Sequence, residues 1–434
     1  MKQYDAYSLL PFLDESPCNF LAVDTIRRNL EENGFTELKL TDKWQLKPGD
    51  KHFVIKNGSA IFGFVVGTNP IDEYGFNIIA AHSDSPGFRI KPNPEIAAEG
   101  VIKLNTEVYG GPILYTWFDR PLSIAGRVLL RNPENPMRPI AKLIDFKRPV
   151  MVIPHLAIHF NRAVNEGNKL SKQKDMLPVA AIINDMAEKE NFLVKKVAEH
   201  LGLASIDDIL DFDLNLYPCQ KATLVGFNNE FICSGRIDDL GMAQAAMCAL
   251  LNSDNEGITK VMAIFDNEET GSGTKQGAAS PVLANILHRI ASNMGLDNEG
   301  FYRAIAHTFM ISADNAHAAH PNYAEKMDVT NHPKIGSGPV IKVNANCKYM
   351  SDGHSSSIFL ELCKNANIPV QYFVNHSDVA GGSTLGNILT SQIDIDGVDM
   401  GNPIWAMHSS METASIKDQE NAIRVFTEFY NTRL

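Results

Sequence analysis

Apolar residues recur every three or four positions in YSLLPFLDESPCNFLAVDTIRRNLEENGF, which predicts a helix, a proline-bearing break and a second amphipathic helix ending at Gly34. The rhythm then shortens. HFVIKNGSAIFGFVVG and FNIIAAHSDSPGF are short apolar runs bounded by Gly, Asn or Pro, as strands are. Residues 95–230 have another texture, with β-like stretches in IKLNTEVYGGPILYTWF, LSIAGRVLL and RPVMVIPHLAIHF, two Pro-rich turns around RNPENPMRP, and a charged helix expected from Ala181 to Leu201. After Cys233 strand and helix alternate: a helix in RIDDLGMAQAAMCALLN, a buried strand in KVMAIFDNEE, a helix in SPVLANILHRIASNMG and a strand in HTFMISADN. A helix in SSSIFLELCKNANIP, a strand in VQYFVNH and a closing helix over ETASIKDQENAIRVFTEFYNTRL complete the series. Such alternation predicts an α/β fold with a mostly parallel sheet flanked by helices, and the intervening stretch reads as a separate β-rich module.

Composition narrows the function classes. With 434 residues and 44% hydrophobic residues the chain is long enough for two or three domains of about 100–200 residues and is not intrinsically disordered. The 39 Lys+Arg against 51 Asp+Glu leave a net charge of −12, and no basic block offsets it, so nucleic acid and anionic membrane surfaces are poor partners. No apolar run approaches the roughly 20 residues that span a bilayer, and the N-terminus is polar too early for a signal peptide, so a cytoplasmic protein is expected. The six cysteines show no CxxC or short spacing, which favours reduced, mostly buried thiols.

Five segments place a metal-capable or acid/base side chain just after a predicted strand, where open α/β sheets gather their ligands. They are AAHSDSPG with His82 and Asp84, SGRIDDLG with Asp238, FDNEETGSG with Glu268 and Glu269, ISADNAH with Asp314, and AMHSSMETA with His408. Singly each has an ordinary reading: a loop histidine beside a carboxylate, an Asp238-Asp239 helix cap, a solvated acidic loop. Together, two imidazoles and three carboxylates are what two neighbouring divalent ions require, with one carboxylate bridging and room for a water. Imidazole with carboxylate and no thiolate suits Zn²⁺, Mn²⁺ or Co²⁺ at a catalytic site. Asp84, two residues past His82, can accept its second ring N–H, and Glu268, beside a ligand but diverging from it, can take a proton from water.

The order and wording of AAHSDSPGFRIKP, IPHLAIHFNRAVNEG, GRIDDL, FDNEETGSGT, SADNAHAAHPNY, GPVIKVNANCKY and AMHSS resemble the M18 metallopeptidases, aspartyl aminopeptidases and their bacterial relatives, over nearly the whole chain. The resemblance implies that His82, Asp238 and Asp314 bind one metal and Asp238, Glu269 and His408 the other. Asp238 would be the bridge, Glu268 the general base and Asp84 the orienting acid. It implies two divalent ions per subunit, Zn²⁺ first with Mn²⁺ or Co²⁺ as alternatives, and metal-activated water attacking the peptide bond next to a free N-terminus. Lys342 is similar to the family lysine that faces an acidic substrate side chain, the competing reading being a strand lysine with its amine in water. The loop VAGGSTLG, with Gly381 and Gly382, looks like the family's substrate-pocket loop. His155 stands where a family histidine reaches into a partner subunit's site, a core or interface histidine being the alternative. His317 and His320, at helical spacing beside Asp314, are left off the ligand set, as is His376 in the second HSD. Departures from the family pattern are Gly87 for Cys, Asp239 for Asn, Thr270 for Val, Asn315 for Met and Met327 for His; none removes a ligand or the base.

The expectation is a catalytic di-metal peptidase domain formed by residues 1–92 and 232–434, interrupted by a β-rich dimerisation and assembly domain at 93–231. The resemblance implies dimers assembled into a tetrahedral dodecamer. The preferred activity is release of N-terminal residues, Asp or Glu first, from peptides. Alternatives are a di-metal carboxypeptidase or N-acyl amino-acid deacylase, and a catalytically idle cage or cargo relative.

Overall fold

The strongest local signals of the sequence survive as elements in a computed structural model that describes residues 4–183 and 189–432. Leu9–Glu15 is a helix that breaks before Pro17, and Asn19–Glu32 follows from an extended Cys18, ending where Gly34 turns left-handed at φ 83°. Lys51–Lys56 and Ala60–Val65 form a hairpin. Its turn holds Asn57 and Gly58 at φ 55° and 72°, a backbone that Asn-Gly adopts readily and that matches the twist of the strands it joins.

The chain divides into two compact units, residues 1–84, 222–407 and 412–434 in the first and residues 85–221 and 408–411 in the second. A nine-stranded sheet runs through the first. Its strand order is Thr36–Glu37, Lys51–Lys56, Ala60–Val65, Thr259–Phe265, Phe76–His82, Phe309–Ala313, Asp396–Gly401, Val340–Lys342 and Gln371–Phe373. The four central strands from Thr259–Phe265 to Asp396–Gly401 are mutually parallel. The first three of them are buried at every position, which is why they read as unbroken apolar runs rather than as alternating ones.

Alternation nevertheless assigns the two faces. Ile79, Ala81, Met262, Ile264 and Ile311 point into one apolar cluster, built with the helices Asn19–Glu32, Ile237–Asn252 and Ile416–Asn431. Ile78, Ala80, Val261, Ala263, Phe265 and Met310 point into the other, closed by Val282–Asn293 and by Ala304 and Ile305 of Asn298–Ala306. The fold is thus α/β with a mostly parallel sheet covered by helices. Because the parallel strands all run one way, His82, Asp266 and Asp314 leave the sheet at the same end.

The second unit is built on a six-stranded sheet, ordered Ile140–Asp145, Leu122–Leu130, Ile209–Pro218, Gly87–Ala98, Val101–Tyr109 and Val179–Ile182, with every pairing antiparallel. Phe88, Trp117, Ile124, Val128, Ile153 and Leu216 form its core together with Leu193 and Val197 of the helix Phe192–Leu201.

Three sequence readings change here. The helix expected from Ala181 to Leu201 is shorter: residues 179–182 complete the antiparallel sheet, 184–188 lie outside the described residues, and the helix begins at Phe192. RPVMVIPHLAIHF contributes only isolated bridges at Met151, Val152 and Ile153 and a helical turn at Ile158–Phe160. His317 and His320 are not on a helix, since Ala316–His317 is a short strand paired with Pro403–Ile404. None of the six cysteines is in a disulfide among the described residues, and Cys18, Cys248 and Cys363 are buried. No helix among the described residues is long and apolar enough to cross a membrane.

Candidate metal centre

His82 is the last residue of its strand and is only 1% exposed. Its main-chain N–H donates to Asp239 Oδ2 at 3.1 Å, while its ring Nε2 faces Asp238 Oδ1 at 3.8 Å and Asp239 Oδ2 at 4.0 Å. On the far side of the ring, Nδ1 lies 3.0 Å from the Asp84 carbonyl oxygen and 3.3 Å from its carboxylate. The carboxylate of Asp84 has a further task. Its two oxygens accept the main-chain N–H groups of Glu268 and Glu269, at 3.1 and 3.2 Å. One acid thus touches the imidazole and holds the turn that presents both glutamates, which form a short helical turn entered through Asn267 at φ 62°.

Behind that turn is a second buried acid, Asp266. It accepts from Asn19 Nδ2 at 3.0 Å, from the Asn267 N–H at 2.8 Å and from Gln276 Nε2 at 3.3 Å, which pins the ends of the loop to the start of an N-terminal helix.

Asp238 and Asp239 do not form the helix cap that their position suggests. The helix assigned from Ile237 to Asn252 has non-helical backbone at both, joined by a cis peptide bond, and the preceding Arg236 is left-handed at φ 64°. Their main chain and carboxylates are used elsewhere. The Asp238 N–H donates to Glu412 Oε2 at 3.1 Å, and Glu412 is held opposite Ser234 by strand pairing. Asp239 Oδ1 accepts from Asn315 main-chain and side-chain nitrogens at 3.3 and 3.2 Å. Asp314, just past the end of the strand Phe309–Ala313, lies 3.4 Å from the ammonium of Lys342. That lysine is 4% exposed, so its amine is not in water.

Donor atoms of His82, Asp238, Asp239 and Asp314 lie within 4.8 Å of one another, as do those of His82, Glu268 and Glu269. Electrostatics show what such a group lacks. Burial first, and then mutual repulsion, push the carboxyls of Asp239 and Glu269 well above the usual range and that of Glu268 up to about 8, with Asp314 also raised. Burial pulls the His82 ring toward neutrality, but Asp239, Asp84 and Glu268 outweigh it and hold its pKa well above the ordinary value. A cluster that acidic is short of positive charge, and its imidazole and carboxylate donors, without thiolate, fit a divalent ion of the zinc type. The residues present are therefore able to hold metal.

His408 belongs to the second unit, left-handed at φ 69°, with Nδ1 3.1 Å from the Gly111 carbonyl oxygen. His155, in the same unit, is half-buried, edge-on to Phe118 with ring centroids 4.6 Å apart, and is not a core residue. Its neighbours Leu156, Ile158 and Phe160 are exposed, Phe160 by 80%. Gly381 leaves room for Asn375, whose Oδ1 would lie 2.5 Å from an added Cβ, whereas nothing lies within 4 Å of one at Gly382. His376 pairs loosely with Asp378 at 4.0 Å.

Sequence reasoning passed over Glu412 and treated Asp239 only as an extra charge. Glu412 stands four residues after His408 in AMHSSME, a spacing that carries no signal until strand pairing brings it beside Asp238.

Comparison with known proteins agrees with this chemistry. The family model described as aminopeptidase I zinc metalloprotease (M18) matches residues 12–430. A probable M18 family aminopeptidase 2 of Clostridium novyi is 51% identical over 427 residues, covering 98% of each chain. Among solved structures, the Ape4 and Nbr1 complex has a chain with TM-score 0.94 and 35% identity, covering 98% of this chain and 85% of that one. The S. cerevisiae mApe1 dodecamer matches with TM-score 0.85 and 26% identity over 98% and 96%. This chain belongs to the M18 family of metallo-aminopeptidases.

Proposed function

We propose that the protein is a di-metal aminopeptidase that releases N-terminal residues, Asp and Glu preferentially, from peptides with a free N-terminus. One observation carries the reading: a buried histidine surrounded by carboxylates, with a buried lysine as the adjoining cation. His82, Asp238 and Asp314 would hold one ion, and Asp238, Glu269 and His408 the other, with Asp238 shared. The ions would be Zn²⁺, or Mn²⁺ or Co²⁺. When bound, they supply Lewis-acid polarisation of the scissile carbonyl and acidification of the attacking water.

The chain's own residues do the rest. Glu268, its carboxyl pushed up to about 8 by burial, is the base that takes the proton from water and returns it to the leaving amine. Asp84 fixes the His82 ring and the Glu268 turn together. Lys342 would receive an acidic side chain of the substrate's first residue, and the loop at Gly381 and Gly382 would line the same pocket.

The second unit, with its exposed Leu156, Ile158 and Phe160, would serve dimerisation, placing His155 at the partner's site. Dimers would assemble into a tetrahedral dodecamer, as the dodecameric mApe1 relative supports. We assign the enzyme to the cytoplasm, on its cysteines standing outside any disulfide.

Hydrolysis of Asp-, Glu-, Leu- and Lys-anilides with and without chelator tests the activity, and light scattering tests the assembly. Glu268→Gln should lower kcat by about 10²–10⁴-fold at unchanged metal content. Undiminished activity in that variant refutes the mechanism; a flat profile across the anilides refutes the acidic preference.

A further inference from the structure

Asp399 has no role in the chemistry above, yet two loop segments are bonded to its side chain. It lies fully buried in the strand Asp396–Gly401, between the strand that ends before Asp314 and the strand of Lys342. Its Oδ2 accepts the Met350 N–H at 2.6 Å and its Oδ1 accepts the Thr384 hydroxyl at 2.8 Å. Ser351 adds a main-chain clasp, accepting the Asp399 N–H at 2.8 Å and donating to its carbonyl oxygen at 3.3 Å. One residue thus fastens two loops, 344–351 and 379–384, to the sheet beside Lys342.

The loops are shaped around that carboxylate. Thr384 occupies the N-cap of the helix Leu385–Leu389 but makes no capping bond, its hydroxyl being spent on Asp399. At Gly386 a Cβ would stand 2.6 and 2.7 Å from the two Asp399 oxygens, so only glycine lets the helix start approach this closely. Asn344 Nδ2 donates to Asn375 Oδ1 at 3.3 Å, and Asn375 in turn lies against Gly381 of the second loop. The first loop also carries Tyr349, whose ring centroid lies 5.8 Å from the Lys342 ammonium.

We propose that Asp399 is the positioning residue of the substrate side-chain pocket, holding the glycine-rich loop and the Tyr349 loop at a fixed distance from Lys342. The inference deepens the function proposed above and rests on it. Asp399 acts through Thr384 and Met350 and does not itself touch substrate.

The test combines kinetics with hydrogen exchange on the metal-loaded enzyme. In Asp399→Asn the amide cannot accept on both sides. Exchange should accelerate about tenfold in residues 346–351 and 379–386 alone, as expected for one lost charged hydrogen bond. KM for Asp-anilide should rise about tenfold while kcat falls less than about threefold and KM for Leu-anilide shifts less than about twofold. Thr384→Val removes one bond and no buried charge, so it carries the test if Asp399→Asn does not fold; it should move KM the same way by about threefold, and Thr384→Ser should restore it. Unchanged exchange in the two loops overturns the proposal, and so does an equal rise of KM for Asp and Leu substrates. A wild-type enzyme that cleaves both anilides equally refutes the acidic preference by itself, and the exchange measurement then still decides whether Asp399 anchors the loops.

Discussion

At the scale of single residues the candidate site is braced by acids whose oxygens are taken up by its own main chain. Asp84 is the clearest, because its two oxygens are both committed to N–H donors of the glutamate turn while it also faces the His82 ring. Asp84→Asn keeps the shape but turns an NH₂ toward one of those donors. Metal affinity measured by titration should fall about 10–100-fold, the range for partners that orient a ligand; an unchanged affinity would show that the turn holds itself. His82, Asp84, Glu268, Glu269 and Asp314 were legible in the sequence because each stands at or just past the end of a strand whose apolar run is easy to read, and Asp238 because it opens an apolar helix. Asp239, Glu412 and Asp399 were not. Their roles come from pairings between distant segments, such as Ser234 with Glu412, and one sequence without a fold contains no trace of those.

At the scale of elements, legibility followed length and burial. Long helices and the central strands Phe76–His82, Thr259–Phe265 and Phe309–Ala313 were readable, whereas Asp396–Gly401 was missed because glycines and aspartates break its apolar run. The helix read from Ala181 failed at its start for the opposite reason: the apolar stretch there completes a sheet, and tertiary pairing overrides local propensity. Two elements support direct tests. Lys260, at the start of a central strand, is buried with its ammonium 3.0 Å from Ser253 Oγ, and burial lowers its pKa to about 8 from 10.5. The folded state therefore disfavours the cation, a destabilisation complete below pH 8 that fades as pH rises through 8 toward 10.5. Lys260→Met should accordingly be more stable at pH 7, by about 1–2 kcal/mol, with the advantage shrinking at pH 9–10 in thermal melts. Gly386→Ala should cost about 1–3 kcal/mol, because its methyl would overlap the Asp399 carboxylate. A melting temperature equal to wild type would show that this helix start yields freely.

At the scale of the whole molecule, an acidic chain concentrates further acid in its own interior. Glu268 has its carboxyl raised by burial from 4.5 to about 8, so between those values the folded state binds more protons than the unfolded one. That stabilisation is full below pH 4.5 and is lost as pH rises through 8. Bound cations would remove the penalty, so the gain in melting temperature on adding Zn²⁺ should be larger at pH 8 than at pH 6. A gain independent of pH would mean that the ions sit away from this cluster. The site also has a temporal consequence. His82 and Asp239 are separated by 157 positions and Asp239 and Asn315 by 76, so the growing chain exposes its first donor long before the others exist. No nascent fragment can capture an ion in the final arrangement. If ions are held as proposed, loading waits on the closure of these long loops, and the proteolytic chemistry cannot switch on until the chain past Asn315 has left the ribosome and folded.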